Sequence, residues 1–199
     1  MRKHLRSFVN ICKETLDLQE AIYEFGALQV HGDKELEDLR PLFLGKKYVG
    51  CDMRPGPGVD LVQNLHNLDL VDETVGTAIC MDTLEHVEYP RQAISELHRV
   101  LAPNGILIMS SVMNFPIHGY PNDYWRFTPE GFKSLLKNFN YSFVGYDGPN
   151  DFPSTIVAVA FKGRAPSLDK FNACFIKWQH KNNKIIENIN KNVLPYLKG

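Results

Sequence analysis

Polar side chains that could bind a ligand follow a short apolar run in the middle of the chain. The run Thr77–Met81 leads into Asp82, Thr83 and, shortly afterwards, His86. Such a run is typical of a strand buried on both faces of a parallel sheet. Because ligands bind at the carboxyl ends of these strands, we expect Asp82, Thr83 and His86 to lie at the ligand-binding edge of a sheet.

Two earlier apolar runs also end in groups suited to a nucleoside. Lys47–Cys51 leads into Asp52, whose carboxylate could accept from both hydroxyls of a ribose; the alternative is a solvated loop aspartate. Asn64 follows Val59–Val62 and offers a carbonyl oxygen that could accept a hydrogen bond from a ligand. A turn asparagine is an equally ordinary interpretation of Asn64.

An aromatic and charged segment, Ser111–Phe127, carries the remaining candidates. Loops at the carboxyl edge of a sheet carry function more often than core elements do. His118 could serve as a general base because histidine titrates near neutral pH, and His86 is the second candidate; a structural or solvated role for His118 remains open. We expect five residues of this segment to bind a substrate that accepts a chemical group: Tyr120, Asp123, Tyr124, Trp125 and Arg126. The alternative is that they only form an aromatic plug over the sheet edge.

The elements that must position these groups follow from the same patterns. Pro90 favours the start of a helix, and Ile106–Met109 is a second buried strand, so Thr77–Met109 predicts a right-handed crossover between parallel strands. Tyr141–Tyr146 and Thr155–Phe161 predict a final antiparallel pair.

The two ends of the chain are predicted to be helical. Met1–Phe25 could pack on the sheet or close over a cofactor as a lid, and Ser167–Lys198 could pack on the domain or on a second subunit. Between them we place the first strand at Gly26–Val30 and the first crossover helix at Glu35–Leu44. The chain is then a single domain, with a core at 26–163 between an N-terminal segment at 1–25 and a tail at 164–199.

Four segments together resemble the class I S-adenosylmethionine-dependent methyltransferases, in particular the small type 11-like domains: YVGCDMRPG, MDTLEHV, ELHRVLAPNGILIMS and YPNDYWRFTPEGF. The resemblance covers roughly Gly26–Phe161. It implies an α/β fold with a Rossmann-like, doubly wound, mostly parallel seven-stranded sheet and an antiparallel last strand, plus N- and C-terminal helices. It also implies S-adenosylmethionine as cofactor and S-adenosylhomocysteine as product. The residues that it places at the cofactor are Gln29, Val30, His31, Gly32, Asp52, Met53, Asn64, Leu65, Met81, Asp82 and Thr83. Because the family uses an acid or amide to recognise adenine after the third strand, the resemblance implies that the Asn64 carbonyl oxygen accepts from the adenine amino group.

The glycine-rich turn of the family is altered in this sequence. The family has an acid followed by three alternating glycines after the first strand, whereas Gln29 stands at the acid position here and only Gly32 matches a glycine. A catalytically degenerate module for binding or assembly is therefore the alternative to a methyltransferase. A nicotinamide-dependent oxidoreductase is disfavoured because the G-x-G-x-x-G turn is absent.

Composition limits the partners. The net charge of −1 without a basic block disfavours nucleic acid, and no segment reads as a signal peptide or a membrane span. The four cysteines are far apart, which favours reduced thiols in a cytoplasmic protein, and no histidine spacing predicts a metal site. We expect a small-molecule substrate and a homodimer through the C-terminal helix.

Overall fold

A computed structural model describes residues 2–30, 37–119 and 121–193. Seven strands form a single sheet in the order β3-β2-β1-β4-β5-β7-β6. The strands are β1 (Ile22–Phe25), β2 (Tyr48–Asp52), β3 (Leu61–Val62), β4 (Val75–Cys80), β5 (Leu101–Val112), β6 (Tyr141–Asp147) and β7 (Thr155–Lys162).

The strand directions confirm the predicted topology. β1 pairs in parallel with β2 and β4, β2 with β3, and β4 with β5. β7 runs antiparallel to both of its neighbours, β5 and β6. All six residues of β4 are buried, as expected for a central strand covered on both faces.

Helices cover both faces of the sheet, which is the doubly wound arrangement. α2 (Pro90–Val100) and α3 (Pro129–Leu135) contribute to one apolar core, and α1 (Lys3–Thr15) and α4 (Asp169–Val193) to the other. α3 begins as predicted, with the Thr128 hydroxyl accepting from the Gly131 N–H at 3.1 Å. No helix in the described part of the chain is long and apolar enough to cross a membrane.

The placement of the first strand at Gly26–Val30 is wrong. β1 is Ile22–Phe25, and Gly26 adopts a φ of +89°, in the left-handed region that an extended strand does not use. The N-terminal segment is correspondingly helical only over Lys3–Thr15, not through Phe25. Of the predicted helix at Glu35–Leu44, positions 35 and 36 lie outside the described residues, and Arg40–Phe43 is a short 3₁₀ helix.

The two terminal helices pack against each other within the same chain. Phe8 of α1 makes edge-to-face contacts with Phe171 and Phe175 of α4, and the Trp178 indole N–H donates to the His4 carbonyl at 2.8 Å. α1 therefore packs on the sheet, and the aromatic face of α4 packs on the domain. A homodimer through α4 stays a prediction.

Candidate functional site

A cavity of about 720 Å³ opens where β1, β2 and β4 end. It also takes residues from the loop after β3 and from the aromatic loop, which is residues 113–127 without position 120. The predicted site residues that line it are Val30, Asp52, Met53, Asn64, Leu65, Met81, Asp82, Thr83, His86, His118 and Tyr124. Positions 31, 32 and 120, which hold the predicted His31, Gly32 and Tyr120, lie outside the described residues.

The acid at the end of the first strand is Glu24, not Gln29. The Glu24 side chain lines the cavity, is only 6% exposed, and accepts from the hydroxyl of Tyr48. Burial raises the pKa of Glu24 to about 7. Gln29 is not among the described residues that line the cavity, and its backbone N–H donates to the carbonyl of Pro57 at 3.0 Å. The motif was visible as apolar residues, Glu24, one residue and a glycine, but the misplaced strand concealed it.

Gly26 brings the turn after β1 close to the loop after β4. A Cβ atom at Gly26 would lie 2.2 Å from Oγ1 of Thr83. The Thr83 hydroxyl is in turn within 2.9 Å of the Met81 carbonyl and 3.2 Å of the Phe25 carbonyl. A glycine is therefore required at this position both by the positive φ and by the close approach.

Asp52 lies where it was predicted, at the end of β2 and beside the end of β1. The pairing of Phe25 with Cys51 sets the two strand ends side by side. Its Oδ1 accepts from the Arg54 backbone N–H at 3.0 Å, and the side chain is 11% exposed. This Asx turn fixes the carboxylate at the rim of the cavity.

Asn64 forms a similar turn after β3. Its Oδ1 accepts from the backbone N–H of His66 at 3.0 Å, which makes an Asx turn. An amide oxygen has two lone pairs, and Asn64 also lines the cavity. The predicted contact with adenine stays a prediction.

Asp82 joins the cavity to the N-terminus of the chain. Its carboxylate accepts from the Ser110 hydroxyl at 2.9 Å and from two nitrogens of Arg2 at 3.0 and 3.1 Å. The Arg2 guanidinium also lies 5.3 Å from the centre of the Phe115 ring. Arg2 was not predicted, and no local pattern points to a residue so far from Asp82 in the sequence.

Glu85, His86 and His118 meet in the cavity wall between the loop after β4 and the aromatic loop. The His86 and His118 rings are in edge-to-face contact with centroids 4.8 Å apart. Glu85 is fully buried and accepts from the Ser111 hydroxyl at 2.6 Å, but its Oε1 has no hydrogen-bond partner among the described residues. Burial, and then the charge of Asp82, raises the pKa of Glu85, whereas burial lowers the pKa of His86. Glu85 was missed although it belongs to the quoted MDTLEHV segment.

The other acceptor-binding candidates hold the aromatic loop in shape. Asp123 accepts from two Arg126 nitrogens at 2.5 and 2.7 Å and from the His118 N–H at 2.8 Å. The Trp125 indole donates to the Val87 carbonyl at 3.0 Å. The described lining of the cavity includes Tyr124 but not Asp123, Trp125 or Arg126, so this geometry gives those three a positioning role.

A comparison with family models matches residues 36–109 to the methyltransferase domain family. No curated protein matches the sequence. The matched segment runs from the residues before β2 to within β5, so it includes Asp52, Asp82 and Glu85 and leaves out the turn after β1.

Solved methyltransferase structures share the fold. A 1,6-didemethyltoxoflavin-N1-methyltransferase from Burkholderia thailandensis, with bound 1,6-didemethyltoxoflavin and S-adenosylhomocysteine, is 17% identical with a TM-score of 0.63, over 81% of this chain and 79% of that one. An S-adenosylmethionine-dependent methyltransferase from Thermotoga maritima is 19% identical with a TM-score of 0.56, over 80% and 91%. One from Archaeoglobus fulgidus is 11% identical with a TM-score of 0.57, over 80% and 95%.

Proposed function

We infer that this chain, which has a methyltransferase domain and the fold of the class I S-adenosylmethionine-dependent methyltransferases, transfers a methyl group from S-adenosylmethionine to a small-molecule acceptor. The observation that carries this proposal is the convergence of Glu24, Gly26 and Asp52 on one cavity at the carboxyl ends of parallel strands. S-adenosylmethionine supplies a methyl group on a positively charged sulfur. The protein therefore mainly has to bind, align and desolvate the reactants.

The residues present fit this cofactor at three points. Asp52 could accept from both ribose hydroxyls, and such charge-assisted hydrogen bonds contribute about 1.5–3 kcal/mol each. Gly26 lines the cavity directly after β1, and its lack of a Cβ lets this turn pack against Thr83. Glu24, on the same cavity wall, could accept from the amino group of the methionine part.

The acceptor is proposed to bind on the side of the aromatic loop. His86, His118 and Tyr124 line the cavity there, and the Tyr124 N–H donates to the Glu85 carbonyl at 2.7 Å. If the acceptor must lose a proton, we expect His86 and His118, the histidines on this side of the cavity, to promote that loss. Asp123 and Arg126 would then act through the loop that they hold.

Calorimetry with S-adenosylmethionine and S-adenosylhomocysteine tests the cofactor assignment. We expect both to bind, and Asp52→Ala to weaken both by about tenfold or more, because both carry the same ribose and about 1.4 kcal/mol is a factor of ten. Asp17→Ala is the matched control, since Asp17 is exposed and precedes the amino end of β1, whereas the cavity lies at the carboxyl end of that strand. Asp17→Ala should bind both as the parent does.

Two results would contradict the assignment. Equal affinity of Asp52→Ala and the parent would remove Asp52 from the pocket. Absence of heat and of a thermal shift at millimolar ligand would favour the degenerate binding or assembly module. Mass spectrometry of small molecules released from the denatured protein would then identify what the cavity holds.

A further inference from the structure

Three potential metal ligands meet at one point of the cavity although they are separated in the sequence. One ring nitrogen each of His86 and His118 and one carboxylate oxygen of Glu85 all lie within 4.8 Å of one another. Zinc–ligand bonds are about 2.0–2.2 Å long, so atoms that share one ion lie up to about 4 Å apart. Small side-chain rotations would therefore bring all three onto a common ion.

The carboxylate of Glu85 supplies an independent reason for a cation here. The side chain is fully buried, Ser111 donates to Oε2, and Oε1 has no hydrogen-bond partner in the part of the chain that the structure describes. A buried polar atom left without a partner is costly, and a bound ion is one of its ordinary explanations. Since Glu85 also lines the cavity, an ion at this point would complete its contacts.

The second nitrogen of each imidazole is held as in metal-binding histidines. Nδ1 of His86 lies 2.5 Å from the Asn122 carbonyl, and Nδ1 of His118 lies 3.2 Å from both the Pro116 carbonyl and Oδ2 of Asp123. Ligating histidines usually donate their other ring N–H to a carbonyl or a carboxylate, which fixes the tautomer that presents Nε2 to the ion.

We propose that Glu85, His86 and His118 bind one divalent transition-metal ion of the Zn²⁺ class on the acceptor side of the cavity. Two imidazoles and one carboxylate suit Zn²⁺, Co²⁺ or Fe²⁺, whereas Mg²⁺ and Ca²⁺ prefer sets made entirely of oxygen. Three protein ligands leave a coordination position open, as in catalytic zinc sites.

The open position gives the ion a role that rests on the proposed function. An acceptor hydroxyl coordinated there would have a lowered pKa and would lose its proton to water. The resulting oxygen anion would form a bond to the methyl carbon while the bond from that carbon to sulfur breaks, and S-adenosylhomocysteine would leave. A histidine bound to the ion cannot also take that proton. Metal binding itself does not depend on methyl transfer, so the two proposals can fail separately.

The test begins with protein stripped by a chelator and titrated with Zn²⁺ by calorimetry and with Co²⁺ by visible absorption. We expect one ion per chain and a thermal stabilisation by the ion. Glu85→Gln, which keeps an acceptor for Ser111, and His118→Asn should each weaken binding by about tenfold or more and remove the thermal shift. His180→Asn is the control, since His180 is exposed on α4, and it should bind as the parent does.

Binding of S-adenosylhomocysteine to the same stripped proteins separates the two proposals. If the stripped parent and both variants bind this ligand normally and the variants lose only the metal, the site is confirmed. If zinc binds the parent, Glu85→Gln and His118→Asn equally, or if no stoichiometric binding occurs, the metal site is refuted. Loss of S-adenosylhomocysteine binding by the stripped parent would count against the proposed function and not against the site.

Discussion

The guanidinium of Arg2 and the carboxylate of Asp82 form a two-bond ion pair, at 3.0 and 3.1 Å, at the rim of the cavity. The pair ties the start of the chain to the loop after β4 and places Arg2 in the cavity wall. α1 packs on the sheet, and the residue before it lines the cavity, while a lid role for the N-terminal segment stays a prediction.

We therefore expect Arg2→Met to open the cavity and to destabilise the fold only slightly. The two side chains are 26% and 18% exposed, and partly exposed ion pairs contribute about 1 kcal/mol or less. We expect the dissociation rate of S-adenosylhomocysteine to rise several-fold, measured by stopped-flow competition. Lys3→Ala, at an exposed neighbouring position, is the control. Identical rates in all three proteins would show that Arg2 does not close the cavity.

Gly26→Ala should lower the free energy of unfolding by more than the strain of a positive φ alone accounts for. Gly45 has a similar φ, +79°, but a Cβ there would meet nothing within 4 Å in the described part of the chain. Gly45→Ala should then cost about 1–2 kcal/mol, the usual strain of a left-handed residue. Gly26→Ala should exceed it, because its Cβ would collide with Thr83. Urea unfolding of both variants measures the difference.

A double-mutant cycle isolates the collision. In a Thr83→Ala background, the cost of Gly26→Ala should fall towards that of Gly45→Ala, since the hydroxyl and methyl that it would meet are gone. An unchanged cost would mean that backbone strain alone makes Gly26 necessary.

Gly26 also shows why the first strand was misplaced. Both Ile22–Phe25 and Gly26–Val30 are short and apolar enough to form a strand. The strand ends where Gly26 adopts a positive φ and packs against Thr83, a contact between distant parts of the chain that apolar patterning alone does not contain. By contrast, β4, α2 and the middle of β5 were located correctly because each signal, such as Pro90 at the start of α2, lies inside the element that it specifies. β5 itself, Leu101–Val112, is longer than the predicted Ile106–Met109.

His86 and His118 were each named as candidates, but their meeting with Glu85 could not be predicted, for a similar reason. Asp52 and Asp82 stand at the ends of predicted buried strands, so they could be located by the rule that ligands bind at the carboxyl ends of parallel strands. Glu85 and His118 come together only because the aromatic loop folds back, with the Tyr124 N–H donating to the Glu85 carbonyl. Rules on histidine spacing apply to ligands on one element, and therefore do not detect a cluster assembled from two loops.

Glu24→Gln should change how stability depends on pH. Burial raises the pKa of the Glu24 carboxyl to about 7 in the folded protein, from an ordinary value of 4.5. The stability contributed by the neutral carboxyl is fully present below pH 4.5 and is lost as the pH rises towards 7, where the unfolded state ionises first. We expect Glu24→Gln to gain up to about 3 kcal/mol over the parent between pH 4.5 and 8, at 1.36 kcal/mol per pKa unit. Urea unfolding at several pH values measures this gain, and a difference independent of pH would contradict the buried neutral carboxyl.

Asp123→Asn should loosen the aromatic loop and leave the sheet intact. The Asp123 side chain is 3% exposed, and the bonds from Arg126 lower the pKa of Asp123, so the pair stabilises the protein above the unfolded pKa of about 3.9 and less as the pH falls. Removing the charge leaves Arg126 without its carboxylate and should cost about 1–3 kcal/mol at pH 7. Hydrogen exchange should accelerate at the His118 amide, which donates to Asp123, while amides of β4 stay protected. The control is Glu130→Gln, which breaks the exposed ion pair with Lys133 and should change neither measurement. If exchange at His118 is as slow in Asp123→Asn as in the parent, the loop is held by other contacts and the positioning role of Asp123 is wrong.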